Sequence, residues 1–315
     1  MKTFSNIHYV LLDIEGTTCP VSFVSEVLFP YARQQLLPYL KQHQDEEVSR
    51  ALLAEIHTAW QNDPHPEARA LARGLDRQEN PEESQRQSSA NSDVEPRLPP
   101  RLCSEAGSSA PSLSRSAMAG WLHVASGSGG QDQANRLADL SQPENLRPED
   151  ACIYLDWLIR QDRKLTALKE LQGLIWDEGY RQGRLIAPLF ADVPDALRRW
   201  QQKGLRLAVY SSGSIQAQKL LYTYTTSGNL RPLFSHWFDT RTGPKNQHTS
   251  YLTIADTLQV KSEHILFISD APAELVAAKR AQMTVIFSQR PENPQHDAEG
   301  FAAIENFDEL DFLHA

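Results

Sequence analysis

The feature that most constrains this sequence is a short apolar run that ends in two carboxylates. Residues 9–12 are YVLL, and Asp13, Glu15 and Gly16 follow within four positions. Such a run, bounded by turn-forming residues, is typical of a strand buried on both faces of a parallel sheet. Ligands of these sheets bind at the carboxyl ends of the strands, and side chains two residues apart face the same way. The stretch therefore indicates a site at Asp13 and Glu15, although a strand that simply ends in a charged turn explains it equally well.

A second apolar run, at 205–210, is followed by two serines and a glycine immediately before a predicted helix. Hydroxyl and backbone N–H groups at a helix N-terminus bind phosphate, so Ser211 and Ser212 are candidate phosphate ligands. An ordinary serine helix cap is the alternative for this pattern. Lys245, in a later turn, supplies a positive charge that suits a phosphate, whereas a lysine in isolation is more often a solvated surface residue.

A further apolar run, at 264–269, ends in Asp270, and Glu274 follows four residues later. Carboxylates at strand ends form an oxygen-only ligand set, which favours Mg²⁺. We predict that Asp13 and Asp270 bind this metal through their side chains, with Glu274 as a supporting group behind them. The order of carboxylate, serines, lysine and carboxylate predicts a phosphotransfer site in which Asp13 is the nucleophile.

These stretches resemble, in the same order, the four motifs of the haloacid dehalogenase superfamily. The similarity is closer still to the acireductone-forming enolase-phosphatases of methionine salvage, and it lies in residues 13–18, 171–176, 210–221 and 238–240. The resemblance extends over roughly residues 7–75 and 147–290. Glutamate at position 15 is unusual in the superfamily, which makes the similarity to the enolase-phosphatases specific.

The resemblance implies an enzyme that converts 5-methylthio-2,3-dioxopentyl 1-phosphate to 1,2-dihydroxy-5-methylthiopent-1-en-3-one, the acireductone, and phosphate. It implies that Glu15 is an acid/base residue for both enolisation and dephosphorylation. It also implies a metal contact from position 15, through the backbone carbonyl. Together with the residue pattern, the expected metal site is therefore Asp13, Glu15 and Asp270, and the expected cofactor is Mg²⁺.

Three other functions compete with this one. A generic Mg²⁺-dependent small-molecule phosphatase of the same superfamily is the plainest alternative. A dehalogenase uses no metal, so Glu15 and Asp270 would then have no purpose. A non-catalytic binding protein that keeps the fold is disfavoured, because every expected catalytic side chain is present. Glu15 and the 171–176 stretch are the features that distinguish an enolase-phosphatase from the generic phosphatase.

Strands alternating with helices predict an α/β fold with a doubly wound parallel sheet, a haloacid dehalogenase-like core, into which a helical cap is inserted. We assign residues 1–20 and 185–315 to the core and 21–184 to the cap. Ser, Gln, Pro and Gly dominate about 78–145, and a segment of this composition buries too little apolar surface to offset its ordering entropy. We predict a disordered insertion there, and a short last helix within 304–313.

The net charge limits the expected partners, and the cysteine spacing indicates the redox compartment. The formal net charge is −9, which disfavours nucleic acid or an anionic membrane as a partner. Cys19, Cys103 and Cys152 have neither disulfide-framework nor metal-ligand spacing, which favours a reducing compartment. No apolar run approaches the ~20 residues that span a bilayer. We expect a soluble, cytoplasmic, monomeric protein whose partner is a small phosphorylated diketone.

Overall fold

A computed structural model of the chain describes residues 1–71, 146–161 and 163–313. The chain divides into two compact units, Met1–His43 with Leu158–Ala315, and Gln44–Trp157. These bounds differ from those predicted for the core and the cap, and the division into a core at 1–20 and 185–315 and a cap at 21–184 stays a prediction. The predicted insertion at about 78–145 lies outside the described residues.

The main α-helices are α1 (Phe29–Gln42), α2 (Glu47–Gln61), α3 (Pro148–Arg160), α4 (Thr166–Arg181), α5 (Val193–Gln202), α6 (Ile215–Thr223), α7 (His248–Leu258) and α8 (Pro272–Arg280). A π-helical segment, Phe23–Leu28, runs directly into α1, and short 3₁₀ turns occupy Arg231–Leu233, Ser262–His264 and Phe307–Glu309. In the described part of the chain, no helix is long and apolar enough to cross a membrane.

The strands are β1 (Lys2–Phe4), β2 (Tyr9–Leu12), β3 (Arg206–Tyr210), β4 (Phe234–Phe238), β5 (Ile265–Ser269), β6 (Thr284–Ser288), β7 (Ala303–Ile304) and β8 (Leu310–Phe312). Six of them form one sheet in the order β4-β3-β2-β5-β6-β7, and β1 pairs with β8 separately. Every strand pair is parallel.

The apolar run that opens the sequence forms the central strand β2, and all four of its residues are buried. Val10 and Leu12 pack in one buried cluster with residues of α5 and α6, whereas Tyr9 and Leu11 pack in a second cluster with residues of α7 and α8. Helices therefore cover both faces of the sheet, as expected for alternating side-chain directions in a buried parallel strand. The predicted doubly wound α/β fold is confirmed.

The sheet has strands that the sequence pattern did not predict. β4 was missed because its apolar residues are interrupted by Ser235 and His236. The short helix predicted within 304–313 is wrong, because the chain there forms β7, a 3₁₀ turn and β8. In β8 the buried Leu310 and Phe312 flank the half-buried Asp311, which is the period of a strand.

The second unit contains α2 and most of α3. The ring of Trp60 in α2 stacks on Tyr154 in α3, with centroids 5.2 Å apart. The Tyr154 hydroxyl donates a hydrogen bond of 2.7 Å to Asp63. The helical periods of 46–60 and 151–160 thus predicted elements that bury an aromatic contact with its polar end satisfied.

Candidate active site

The parallel register brings several polar residues to the carboxyl edge of the large sheet. Leu12 of β2 lies opposite Val209 of β3 and Ile268 of β5, so the residues that follow these three emerge side by side. Asp13 continues the ladder, since its N–H donates to the Ile268 carbonyl at 3.0 Å. The Asp13 side chain is buried at this edge, where ligands of α/β sheets bind.

Lys245 joins two of the predicted carboxylates. Its Nζ lies 2.8 Å from Asp13 Oδ1 and 2.7 Å from Glu274 Oε2. Although burial opposes the positive charge, the carboxylates of Asp13 and Glu274 outweigh it and hold the pKa of Lys245 above its usual value. The lysine is therefore an ammonium ion enclosed by acids, and not a solvated surface residue.

Ser269, which sequence reasoning passed over, completes this network. Its hydroxyl lies 2.9 Å from Glu274 Oε2 and 3.4 Å from Asp13 Oδ2. Its position at the end of β5, opposite Asp13 in register, is the signal that would have identified it. Glu274 therefore contacts Lys245 and Ser269, the same two residues that contact Asp13, the candidate nucleophile.

Two tyrosines fix the position of Lys245. The Tyr251 hydroxyl donates to the Lys245 carbonyl at 2.7 Å, and the Tyr210 hydroxyl donates to the Gly243 carbonyl at 2.8 Å. The Lys245 ammonium also lies 5.6 Å from the centre of the Tyr210 ring. The Tyr251 contact comes from α7, which begins just after the lysine's turn, whereas Tyr210 lies in β3, 33 residues before Gly243, and no local pattern indicated that contact.

Asp270 packs against the turn that follows Glu15. Gly16 adopts φ +73°, and a Cβ added there would overlap the Asp270 carboxylate, so both its backbone conformation and its lack of a side chain are needed. Burial and the charge of Asp13 raise the pKa of Asp270 to about 7. The same two causes raise the pKa of Glu15, although Lys245 opposes them. Asp13, Glu15 and Asp270 thus share one electrostatic environment.

The predicted phosphate ligands lie in the loop after β3. The Ser211 N–H donates to the Phe238 carbonyl at 3.2 Å, and the Ser211 hydroxyl accepts from the Gly213 N–H at 3.3 Å. The cap of α6 is Ser214, whose hydroxyl accepts from the Ala217 N–H. Neither Ser211 nor the exposed Ser212 is therefore the helix cap. The described hydrogen bonds do not join either serine to Asp13 or Lys245.

Gln218 is a buried residue that holds this loop and that sequence reasoning did not assign. Its Nε2 donates to the Gly213 carbonyl at 2.8 Å and to the Phe238 carbonyl at 2.9 Å. It thereby fastens the serine loop to the end of β4, which leads into the turn with Lys245. The signal that would have identified Gln218 is a polar residue on the buried face of a predicted helix.

The acidic residues at this edge fit a hard divalent cation. Asp13, Glu15, Asp270 and Glu274 supply only oxygen donors, and the ammonium of Lys245 contacts two of them, Asp13 and Glu274. Among the described residues, no three His, Cys, Asp or Glu side chains form a ready metal-ligand cluster. A cation that keeps several waters needs only one or two carboxylates, and burial together with the charge of Asp13 raises the pKa of Asp270.

A parallel sheet with a buried aspartate at the end of its central strand, a paired lysine and further carboxylates defines a class of phosphate-ester hydrolase sites. A family model for haloacid dehalogenase-like hydrolases matches residues 7–282. An enolase-phosphatase E1 of Synechococcus sp. (strain RCC307) is 40% identical over 295 residues, covering 94% of this chain and 90% of the relative. Another, of Parasynechococcus marenigrum (strain WH8102), is 37% identical over 97% of this chain and 98% of its own.

Among solved structures, the UTR4 protein of Saccharomyces cerevisiae has a TM-score of 0.59 and 26% identity, covering 96% of this chain and 100% of that one. The chain belongs to the enolase-phosphatase family of haloacid dehalogenase-like hydrolases. The family, the fold and the enzyme class predicted from sequence are confirmed. Phosphatases of this family generally use a divalent metal, and a small phosphorylated substrate is consistent with the family.

Proposed function

We propose that this enzyme converts 5-methylthio-2,3-dioxopentyl 1-phosphate to the acireductone 1,2-dihydroxy-5-methylthiopent-1-en-3-one and phosphate, in methionine salvage. The supporting observation is the enclosed ion pair between Asp13 and Lys245. Asp13 lies two residues before Glu15, and the chain is 40% identical to an enolase-phosphatase E1. The roles of the individual residues below are proposals that rest on this geometry.

In the dephosphorylation, an Asp13 oxygen attacks phosphorus and the bond from phosphorus to the leaving oxygen breaks. The leaving oxygen keeps the electron pair and takes a proton from Glu15, whose pKa is raised by burial and by Asp13. Water then attacks the phosphorus of the aspartyl phosphate and gives its proton to Glu15, which releases inorganic phosphate and restores Asp13. Lys245 balances the charge that accumulates on the phosphate oxygens.

In the enolisation, a carboxylate removes a proton from C1 of the substrate. The C–H electron pair forms the C1–C2 double bond, and the C2 carbonyl oxygen gains a proton to become the enol. Glu15 is the residue proposed for this transfer, because it is half-buried beside Asp13 and has a raised pKa. One acid/base residue then serves both steps. The side chain of Glu is longer than that of Asp, which favours its reaching both reacting positions.

We propose Ser211 and Ser212 as phosphate ligands, and Asp13, Asp270 and the backbone of Glu15 as ligands of Mg²⁺. When bound, the metal neutralises the repulsion between phosphate and carboxylate and polarises the substrate carbonyl. Support for Mg²⁺ in particular comes from the oxygen-only donor set. Glu274, already engaged by Lys245 and Ser269, supports this set from behind.

The defining experiment measures phosphate and acireductone together. Purified enzyme is given the diketone phosphate or simple phosphate esters, with chelator or with added Mg²⁺. The proposal predicts Mg²⁺-dependent release of both products and a preference for the diketone phosphate. Phosphate release without acireductone, or a preference for simple esters, would instead support the generic phosphatase of the same superfamily.

We further propose that the protein works as a monomer in the cytoplasm. Cys19 is a buried free thiol, as suits a reducing compartment. Light scattering after size exclusion tests the monomer, and fractionation of native cells tests the compartment. A stable dimer, or recovery outside the cytosolic fraction, would overturn the respective part.

A further inference from the structure

The segment that follows β6 is bound to the turn that carries Glu15. The Ser288 hydroxyl and the Asn293 side-chain amide both donate to the Gly16 carbonyl, each at 3.2 Å. Arg290 Nε donates to the next carbonyl, that of Thr17, at 3.0 Å. Side chains from one segment thus satisfy two consecutive carbonyls directly after Glu15. We call residues 288–293 the clamp segment.

Asn293 also reaches the far end of the same turn. Its Oδ1 accepts a hydrogen bond from the Val21 N–H at 3.2 Å. Within the turn, the Gly16 N–H donates to the Cys19 carbonyl at 2.9 Å. Both polar backbone groups of Gly16 therefore make hydrogen bonds. The turn from Gly16 to Val21 is closed by its own Gly16–Cys19 backbone bond, and the Asn293 amide joins its two ends.

Arg290 anchors the clamp segment in the core. It is only 2% exposed, and Nη1 pairs with both Asp192 oxygens at 2.8 Å. Its guanidinium carbon lies 4.6 Å and 4.3 Å from the ring centres of Phe190 and Phe307. Buried on both faces and paired at its edge, Arg290 cannot rotate freely, so the donors on either side of it hold fixed positions.

We propose that Ser288 and Asn293 are positioning residues that orient the Glu15 carboxylate for proton transfer, an inference that rests on the proposed acid/base role of Glu15. The residue after Glu15 is Gly16, which has φ +73° and lies against Asp270, so the position of the Glu15 carboxylate depends on the conformation of this turn. The bonds to the Gly16 carbonyl fix the orientation of that residue. Without them the turn is free to shift, and a displacement of about 1 Å can cost on the order of 10²-fold in rate.

The test compares two leaving groups. p-Nitrophenolate departs without a proton, whereas the oxygen of the diketone phosphate or of an alkyl phosphate must be protonated by Glu15. The parameter is kcat/KM, which covers only the steps up to release of the leaving group. Asn293→Leu, similar in size but without hydrogen bonds, should lose roughly 10- to 100-fold on the alkyl leaving group and less than about 3-fold on p-nitrophenyl phosphate.

Two controls separate positioning from general damage. Asn229→Asp is the matched variant, because Asn229 is an exposed turn residue whose Oδ1 accepts from the Arg231 N–H, a bond that aspartate keeps. It should show wild-type kinetics with both esters, while Asn293→Asp, which loses donation to Gly16, should behave like Asn293→Leu. Ser288→Ala should show the same leaving-group dependence, and neither change should slow a Glu15→Gln enzyme further.

Equal losses with both esters, or additive losses in the Glu15→Gln background, would overturn the positioning role. If wild-type enzyme cleaves both esters but does not exchange the C1 proton of the diketone phosphate, the enolase part of the proposed function fails and the leaving-group comparison still decides the clamp. If wild-type enzyme cleaves no phosphate ester, both the proposed function and this inference are wrong.

Discussion

Two cations of the α/β unit, the buried Arg290 and the largely buried side chain of Lys245, have different surroundings. Arg290 is paired with one carboxylate: Asp192 neutralises its charge, the Thr17 and Glu305 carbonyls accept further N–H groups, and aromatic rings cover its faces, while its Nη2 has no hydrogen-bond partner among the described residues. Lys245 is outnumbered, because it contacts Asp13 and Glu274 while Asp270 adds further negative charge nearby.

We propose that the difference separates a structural ion pair, Arg290 with Asp192, from a catalytic one, Lys245 with Asp13. A balanced buried pair gains stability only by staying intact, so removing one partner is costly. We call Lys245 with Asp13, Asp270 and Glu274 the unbalanced cluster, because its carboxylates outnumber its cation. Repulsion between such carboxylates raises their pKa values and favours binding of a cation or a proton. Asp270 and Glu274, each with a pKa raised to about 7 by burial and by Asp13, show this state, whereas the charge of Arg290 is paired with the carboxylate of Asp192.

The largest expected effect comes from one substitution made in both clusters. Asp13→Asn should abolish the nucleophile and lower kcat by about 10⁴-fold or more, with the thermal midpoint unchanged or raised because repulsion is relieved. Asp192→Asn should lower activity per folded molecule far less. Phosphate-release assays and thermal melts of both variants measure the two effects. Similar activity losses in the two variants would mean that the Lys245 and Arg290 ion pairs do not differ in function.

The next effect concerns Glu15, which titrates beside the unbalanced cluster. Glu15→Gln keeps the size but cannot shuttle a proton, so C1 deuterium exchange and phosphate release should each slow by roughly 10²–10⁴-fold. Glu263→Gln, at an exposed residue before β5 on the opposite edge of the sheet, is the matched control and should change neither rate. Survival of deuterium exchange in Glu15→Gln would place the enolisation base elsewhere.

A smaller effect, on stability, is expected at the balanced cluster. Asp192→Asn leaves the 2%-exposed Arg290 without its counterion and should cost about 3 kcal/mol. That loss corresponds to a fall in thermal midpoint of roughly 5–10 °C. Differential scanning calorimetry measures it, with Asp195→Asn, at the exposed neighbour that pairs with Arg198, as the control. A midpoint like that of the control would mean that the Arg290 pair adds nothing.

The last expected effect is a pH dependence of the metal-free protein. The folded pKa of Asp270 and of Glu274 is about 7, above the roughly 4 of an unfolded chain, so the folded state binds more protons between these values. Stability should therefore rise as pH falls from about 8 to about 5.5 in chelator. Asp270→Asn combined with Glu274→Gln should remove that part of the rise. An identical pH slope in both proteins would contradict the raised pKa values of Asp270 and Glu274.

Sequence alone predicted the parts of this site that local pattern determines. The run at 9–12 ends at Asp13, and its burial and strand direction place the carboxylate at the ligand-binding edge. Asp270 and Ser211 follow from the same logic at β5 and β3. Lys245 lies in an irregular turn, so only its order among the motifs suggested a role, and its contacts with Asp13 and Glu274 required the structure.

Other parts depend on contacts between segments that are distant in sequence. Asn293 and Ser288 reach Gly16 across 277 and 272 positions, and no local period encodes such a bond. The final strand β8 forms because β1 offers a parallel partner, and the pattern of 304–313 was therefore mistaken for a helix. Gln218 and Ser269 are polar residues inside apolar elements, a signal whose partners only the folded chain reveals.

The most direct test of the unbalanced cluster as a working site is to identify the residue that carries the phosphoryl group. Enzyme is quenched in acid during turnover of the diketone phosphate, reduced with borohydride, and digested for peptide mass analysis. An aspartyl phosphate becomes homoserine under this treatment, so we expect homoserine at position 13 and unmodified aspartate at positions 192 and 270. Homoserine at another position, or phosphate release at full rate with no modified residue in any quenched sample, would contradict it.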